Sequence, residues 1–313
     1  MIYTITLNPS VDYFLDLDTL NIGKLNRSNG DYKVPGGKGI NISRALRQLG
    51  MPSVATGFIG GHTGNFIEEW LEKEDIQRGF IRIDDDSRIN IKLLKQGETK
   101  ISAKGPNVSV MEYQEFLYYM SRVEEGDTVI MSGALPPTIE EEVYNRIISI
   151  CNANKADFIM DVYPQQLVRF LDNGPLLVLA RPKTLSEMLE VPVETDEDIH
   201  EYGKKILEQG ASFLIVPIEG KGSLLFTKEG TFYGHRIPGE YVNSEGIREA
   251  MIAGFVATYI RVGDPVESYR KAIAAGAATA FTRDMAKRAE MDALIDEVVI
   301  EPITPGTKLY EEN

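Results

Sequence analysis

The residues best suited to chemistry stand together at Pro35-Gly36-Gly37-Lys38-Gly39-Ile40-Asn41-Ile42-Ser43, where a glycine-rich loop runs into an apolar, helix-like stretch. Glycines let backbone N–H groups come close to an anion or a hydroxyl, and a helix starting there adds the favourable end of its dipole. The chemistry expected is capture of an anionic or polyhydroxylated ligand. A plain strand-to-helix turn would use the same glycines, so the loop alone leaves both readings open.

Such a loop needs a scaffold, and the apolar patterning supplies one. Short runs rich in Val, Ile and Phe at 2–7, 54–59, 128–131, 158–162, 176–179 and 213–218 read as buried strands. Amphipathic stretches at 40–49, 64–72, 111–123, 140–152, 196–208, 250–261 and 265–281 read as helices between them. This alternation is that of an α/β protein with a mostly parallel sheet covered on both faces. One region breaks the rhythm: 88–94 and 99–103 alternate as two strands joined through Gln96-Gly97. With 13–17 and 30–34 they are expected to form a small β-sheet lid, drawn from about 12–35 and 88–104, over the C-terminal edge of the main sheet. No repeat or linker interrupts the chain, so lid and main sheet are read as one domain over 1–313, with a loose tail from 302 onward.

Composition narrows the partners. The 313 residues carry a net charge of −14 with a pI near 4.8, a field that repels nucleic acid and acidic membranes. A phosphate ligand must therefore be held by a few local cations. One cysteine, Cys151, excludes an internal disulfide framework and fits a reducing compartment, with packing as its role. The first residues lack a basic segment followed by a long apolar one, and no apolar run approaches the length of a membrane span, so the expected location is the cytoplasm. His62, His200 and His235 are too scattered for a transition-metal site, and no protein-held metal is expected.

The glycine loop does not stand alone. Gly36-Gly37-Lys38-Gly39-Ile40-Asn41-Ile42-Ser43, followed by Gly50 and Gly60, resembles the first signature of the PfkB, or ribokinase-like, carbohydrate kinases. Asn8-Pro9-Ser10-Val11-Asp12, Asn26-Arg27, 57–64, Arg88-Ile89-Asn90-Ile91-Lys92 and 132–136 are similar to its 1-phosphofructokinase and tagatose-6-phosphate kinase branch, in family order from residue 1 to about 300. The resemblance implies a ribokinase-like three-layer sandwich with a β lid. It implies transfer of the ATP γ-phosphate to a hydroxyl of a ketohexose monophosphate (fructose-1-phosphate or tagatose-6-phosphate), with Mg²⁺. Asp12 and Asn41 would then read sugar hydroxyls. Gly37 would admit the sugar to the backbone, and Lys38, Arg27 and Arg88 would hold its phosphate. A homodimer joined through the lid is the assembly implied.

The donor side departs from the family pattern. Where the family has Gly-Ala-Gly-Asp opening a helix, this chain has Gly246-Ile247-Arg248-Glu249, in a register fixed by both flanks. Arg248 brings a long side chain to the place of a glycine amide, and Glu249 extends the base by one methylene. The family's Lys-Pro-Asn-x-x-Glu stretch reads Arg181-Pro182-Lys183-Thr184-Leu185-Ser186, losing the amide and carboxylate near Mg²⁺ and phosphate. The nucleotide-side pattern reads Pro217-Ile218-Glu219-Gly220-Lys221-Gly222, with an anion at Glu219. Two functions follow: a sugar-phosphate kinase using Glu249, Arg248 and Gly246, or a sugar-phosphate-binding protein that has lost its ATP and base apparatus.

Overall fold

The computed structural model describes residues 1–94 and 99–304. Strand β1 (Ile2–Thr6) leaves the main sheet straight into β2 (Ser10–Asp16) and β3 (Gly30–Gly36), and β3 feeds α1 (Lys38–Gln48). After β4 (Val54–Gly60), α2 (Gly61–Lys73) and β5 (Gln77–Ile83), the chain returns beside β2 in β6 (Arg88–Leu94) and β7 (Thr99–Ile101). Alternation then resumes through α3 (Val110–Met120), β8 (Thr128–Ser132), α4 (Glu142–Asn154), β9 (Asp157–Asp161) and α5 (Pro164–Leu167). It continues with β10 (Leu177–Leu179), α6 (Pro182–Leu189) and α7 (Asp196–Glu208). The last third holds β11 (Phe213–Ile218), β12 (Gly222–Phe226), β13 (Thr231–His235), α8 (Ile247–Val262), α9 (Pro265–Ala280), α10 (Arg288–Ala293) and β14 (Ile300–Ile303).

The strands form two sheets among the described residues. The large one has the order β14-β13-β12-β11-β10-β9-β8-β1-β4-β5, parallel from β11 to β5 and antiparallel beyond β11. The small one is β3-β2-β6-β7.

Period-two alternation decides which face each strand residue covers. Val129, Met131, Phe158, Met160, Val178, Leu214 and Val216 enter one buried cluster with Phe116, Tyr144, Ile147 and Ile206 of α3, α4 and α7. Ile130, Ile159, Leu177, Leu179 and Ile215 enter the other with Ile42, Leu46, Phe255 and Tyr269 of α1, α8 and α9. Helix α8 is apolar almost all round and buried from Glu249 to Ala257, so it is a core helix whose N-terminus can be placed with precision. Caps fix other helix starts: Thr195 accepts from the Asp198 N–H, and Asp264 accepts from Val266 and Glu267 ahead of Pro265 at N1.

The expected lid is present, in one register. Asp12 lies between Val34 and Asn90, and Lys92 lies opposite Lys100. The Gln96-Gly97 connection expected there lies outside the described residues, as does the tail beyond 304. The loose tail expected from 302 needs correction at its start, because Pro302 and Ile303 pair with Phe232 and Thr231 in the main sheet. Proline is tolerated there because β14 is the outermost strand and needs no N–H on its open side. Strands β5, β13 and β14 were not anticipated. Arg78 and Arg82 break up the apolar signal of β5, as an edge strand permits, and β14 carries Glu301 and Pro302.

Candidate functional site

The C-terminal ends of the parallel strands, the lid and the start of α8 converge on one edge. The glycine loop lies directly on β1: a side chain on Gly37, at φ 129°, would stand 2.5 Å from Thr6 Cγ2. The Thr6 hydroxyl accepts the Ile40 N–H at 3.0 Å, which fixes the first turn of α1. Glycine is thus demanded by close approach to the strand as well as by any ligand. It brings Lys38 to the first position of α1 and Asn41 one turn further along, onto the wall of the cleft under the lid.

The register of the lid puts Asp12, Phe14, Arg88, Asn90, Lys92 and Lys100 on its cleft side and Ile89 and Ile101 on the other. Asp12 Oδ1 accepts from Ser10 Oγ at 2.7 Å and Asn90 Nδ2 at 2.9 Å, and its Oδ2 pairs with Lys92 Nζ at 2.8 Å. Its carboxylate is therefore rigidly aimed. Arg88 gives Nε to the Asn8 carbonyl at 3.1 Å and Nη1 to Ser102 Oγ and the Ala103 carbonyl. Burial lowers its pKa, and its contacts make it an anchor for the loops beside the cleft. Arg27 is exposed on the connection between β2 and β3, and among the described residues no hydrogen bond or ion pair ties it to the other sequence-predicted residues.

Lys38 reaches the strand end opposite: its Nζ pairs with Asp161 Oδ2 at 3.0 Å. Asp161 Oδ1 pairs with Arg248 Nη2 at 2.5 Å, and the same nitrogen donates to the Leu179 carbonyl at 2.8 Å. Arg248 is thus tied down to the ends of β9 and β10. Asp161 is 2% exposed on its side chain, yet Arg248 and Lys38 outweigh its burial and hold its pKa below the ordinary carboxylate range. Glu249, 8% exposed and also at this edge, goes the other way: burial and then the Asp161 charge push it up to about 7, against the pull of Lys38 and Arg248. Gly246 makes the turn into α8 at φ 78°, where a Cβ would lie 2.4 Å from Met285 Sδ. The first helical bond of α8 runs from Ala250 N–H to the Gly246 carbonyl; of the N–H groups ahead of it, that of Glu249 is turned to its own carboxylate, which leaves those of Ile247 and Arg248 as the open donors.

The nucleotide-side residues are less converged. Lys183 is exposed at the second position of α6, and Ser186 spends its hydroxyl on the Val191 carbonyl at 2.5 Å. Glu219 and Gly220 are exposed in the turn between β11 and β12, closed by Lys221 N–H on the Ile218 carbonyl, and Gly222 lies at the foot of that hairpin. Among the described residues no three His, Cys, Asp or Glu side chains gather as a metal cage. Asp161 Oδ1 is bonded to Arg248, while its Oδ2 lies beside Lys38 Nζ but accepts no hydrogen bond, and a divalent ion carried on phosphate oxygens and water needs few protein ligands. The open N–H donors of α8 do fit a phosphoryl group.

Sequence reading missed Asp161, Asn90 and Lys92 as site residues. Asp161 had a signal: a lone carboxylate closing the apolar run 158–160 at the C-terminal end of a parallel strand, where α/β sheets place their ligands. Asn90 and Lys92 alternate with Ile89 and Ile91, a pattern that marks a polar face but not what it faces.

Comparison with known proteins accords with this arrangement. The model of the pfkB family of carbohydrate kinases matches residues 6–289. The 1-phosphofructokinase of Bacillus subtilis is 36% identical over 300 residues, covering 96% of this chain and 99% of that one. The D-tagatose-1-phosphate kinase of Bacillus licheniformis is 32% identical, covering 96% and 99%. The crystal structure of phosphofructokinase-2 from Escherichia coli in complex with substrates and products superposes with a TM-score of 0.90 at 23% identity, covering 95% of this chain and 98% of that one. The sandwich is therefore the ribokinase-like one expected.

Proposed function

The chain belongs to the pfkB family of carbohydrate kinases, and from that premise we propose that it phosphorylates a ketohexose monophosphate, fructose-1-phosphate or tagatose-6-phosphate, at the expense of ATP. The observation that carries the reading is Glu249. It is a buried carboxylate at the open end of α8 whose pKa is lifted to about 7, the value at which a general base both exists ionised and accepts a proton usefully near neutral pH.

In this reading Asp12 and Asn41 orient the sugar from the lid and α1, with the Gly37 backbone beneath it. Glu249 takes the proton from the attacking hydroxyl. The N–H groups of Ile247 and Arg248 receive the transferring phosphoryl group, while the Arg248 side chain, fixed by Asp161, adds a positive charge at that helix end. Lys38, Arg27 and Arg88 are the cations proposed for the acceptor's phosphate. Mg²⁺ bound to ATP would supply charge neutralisation on the β- and γ-phosphates. Lys183, Gly220 and Gly222 are proposed to border the nucleotide, with Glu219 weakening its hold. The partner proposed is a second copy of this chain, seated on the outer lid face where Ile89 and Ile101 are exposed. No helix among the described residues is long and apolar enough to cross a membrane, and cytoplasmic residence is proposed.

A binding protein without turnover would need Ile247, Arg248 and Glu249 to disable the donor side. The tethering of Arg248 to Asp161 speaks against that, since it keeps the guanidinium at the strand ends. The test is ADP release from MgATP with a panel of ketohexose monophosphates, together with calorimetric titration of each ligand. Turnover with one of the sugar phosphates supports the proposal. Sugar-phosphate binding without ADP release overturns it.

A further inference from the structure

The acceptor carboxylate and the donor loop are joined by a line of charges that the chemistry described so far does not use. Asp12 pairs with Lys92, Lys92 Nζ also lies 3.1 Å from Glu245 Oε2, and Glu245 Oε1 accepts from Lys100 Nζ at 2.6 Å. Lys92 is only 13% exposed on its side chain and rests over the Phe14 ring, 5.1 Å from its centroid, with Phe14 stacked on Tyr32 at 4.6 Å. Glu245 is immobilised in turn, because Asn243 takes its N–H on Oδ1 at 2.9 Å and returns Nδ2 to its carbonyl at 3.0 Å. Glu245 precedes Gly246, the residue that opens α8. The contact spans a cleft of about 360 Å³ bordered by Phe14, Tyr32, Lys92, Lys100, Glu245 and Arg283.

We infer that Lys92 is a positioning residue that ties the lid's Asp12 to the loop opening α8 through Glu245, so that acceptor under the lid and nucleotide at α8 each favour binding of the other. The inference rests on the reading of the chain as a sugar-phosphate kinase. Lys92 has two carboxylate partners on two different parts of the molecule, and a nearly buried ammonium group is expensive to leave half-paired. Asp12 and Glu245 share Lys92, so a sugar that takes up Asp12 leaves more of the Lys92 charge to Glu245 and the turn at Gly246. Linkage requires the effect to run equally in the other direction.

The test uses the whole chain, with calorimetric binding of the ketohexose monophosphate that binds best from a panel and of a non-hydrolysable ATP analogue with Mg²⁺, each alone and in the presence of the other. In the wild type each ligand should tighten the other by about 5-fold or more, the usual scale of site-to-site coupling. In Glu245→Gln the acceptor alone should bind within about 2-fold of wild type, since Asp12 keeps Lys92, while the mutual tightening falls to about 2-fold or less. Lys92→Met should lose the coupling and weaken acceptor binding as well, and Lys92→Arg should restore both in part. A second measurement does not depend on either ligand: amide hydrogen exchange should quicken in 88–94 and in 243–249 together when Glu245 is changed to Gln. Coupling that survives Glu245→Gln, or no coupling in the wild type, overturns the inference. If neither ligand binds, the proposed function fails, and hydrogen exchange alone decides: unchanged exchange in both segments overturns the link.

Discussion

Replacing Glu249 with glutamine should alter both stability and turnover, with opposite consequences. Burial and the neighbouring Asp161 raise Glu249 from 4.5 to about 7, which corresponds to about 3 kcal/mol of preference for the neutral acid. Because the folded pKa lies above the unfolded one, the native protein keeps a proton that the unfolded chain releases between those two values. Stability contributed by the neutral acid is thus present below pH 4.5, falls as pH rises, and is lost in full above pH 7. Glutamine removes the charge and with it this loss. Urea denaturation should therefore find the variant and wild type alike near pH 4.5, and the variant more stable by about 2–3 kcal/mol at pH 8. With Glu249 as the proposed base, kcat of the wild type should climb along one limb with its midpoint near 7, and the variant should lose on the order of 10²–10⁴-fold. Changing Asp161 to Asn withdraws the second cause of the shift and should move the limb to lower pH. A stability difference independent of pH, or a midpoint that stays in place in Asp161→Asn, would refute the reasoning.

Three further outcomes follow from the geometry. Gly246→Ala forces a Cβ into a left-handed turn and against Met285, and should cost about 1–2 kcal/mol from the backbone alone, read by thermal or urea unfolding. Arg44→Met removes the 7%-exposed guanidinium that bridges Glu74 and Asp284; the partners are partly solvated, so about 2–3 kcal/mol is expected, somewhat below the scale for a fully buried pair, and a loss under 0.5 kcal/mol would contradict it. Hexose monophosphates should bind more tightly than free hexoses, with Arg88→Ala narrowing the gap; equal affinity for fructose and its phosphates would remove the cations from their assigned role.

Much of the architecture was legible because buried parallel strands announce themselves as short apolar runs, as at 128–131 and 213–218, and because the hairpin of 88–103 alternates with period two. The glycine loop and the start of α8 were legible as local signals. What escaped were the side-chain contacts that form only when distant segments meet. Asp161 becomes part of a site only when Lys38 and Arg248 arrive from 123 and 87 residues away. Lys92 gains its second partner only because the fold sets the lid strand against the loop at Glu245. The meaning of Arg248 also needed the fold: the sequence showed a bulky cation where a glycine was expected, and the structure shows Asp161 and the Leu179 carbonyl drawing it to the strand ends.

The central claim is that Glu249 serves a working phosphoryl-transfer site. Its most direct test is mass-spectrometric detection of the ketohexose bisphosphate formed from MgATP and fructose-1-phosphate or tagatose-6-phosphate, timed for the wild type and for Glu249→Gln. The account predicts bisphosphate at about 1 s⁻¹ or faster with one of the two acceptors, within the usual range for kinases, and its near-complete loss in the variant. No bisphosphate from the wild type under conditions where the sugar phosphate binds, or equal rates from both proteins, would contradict it.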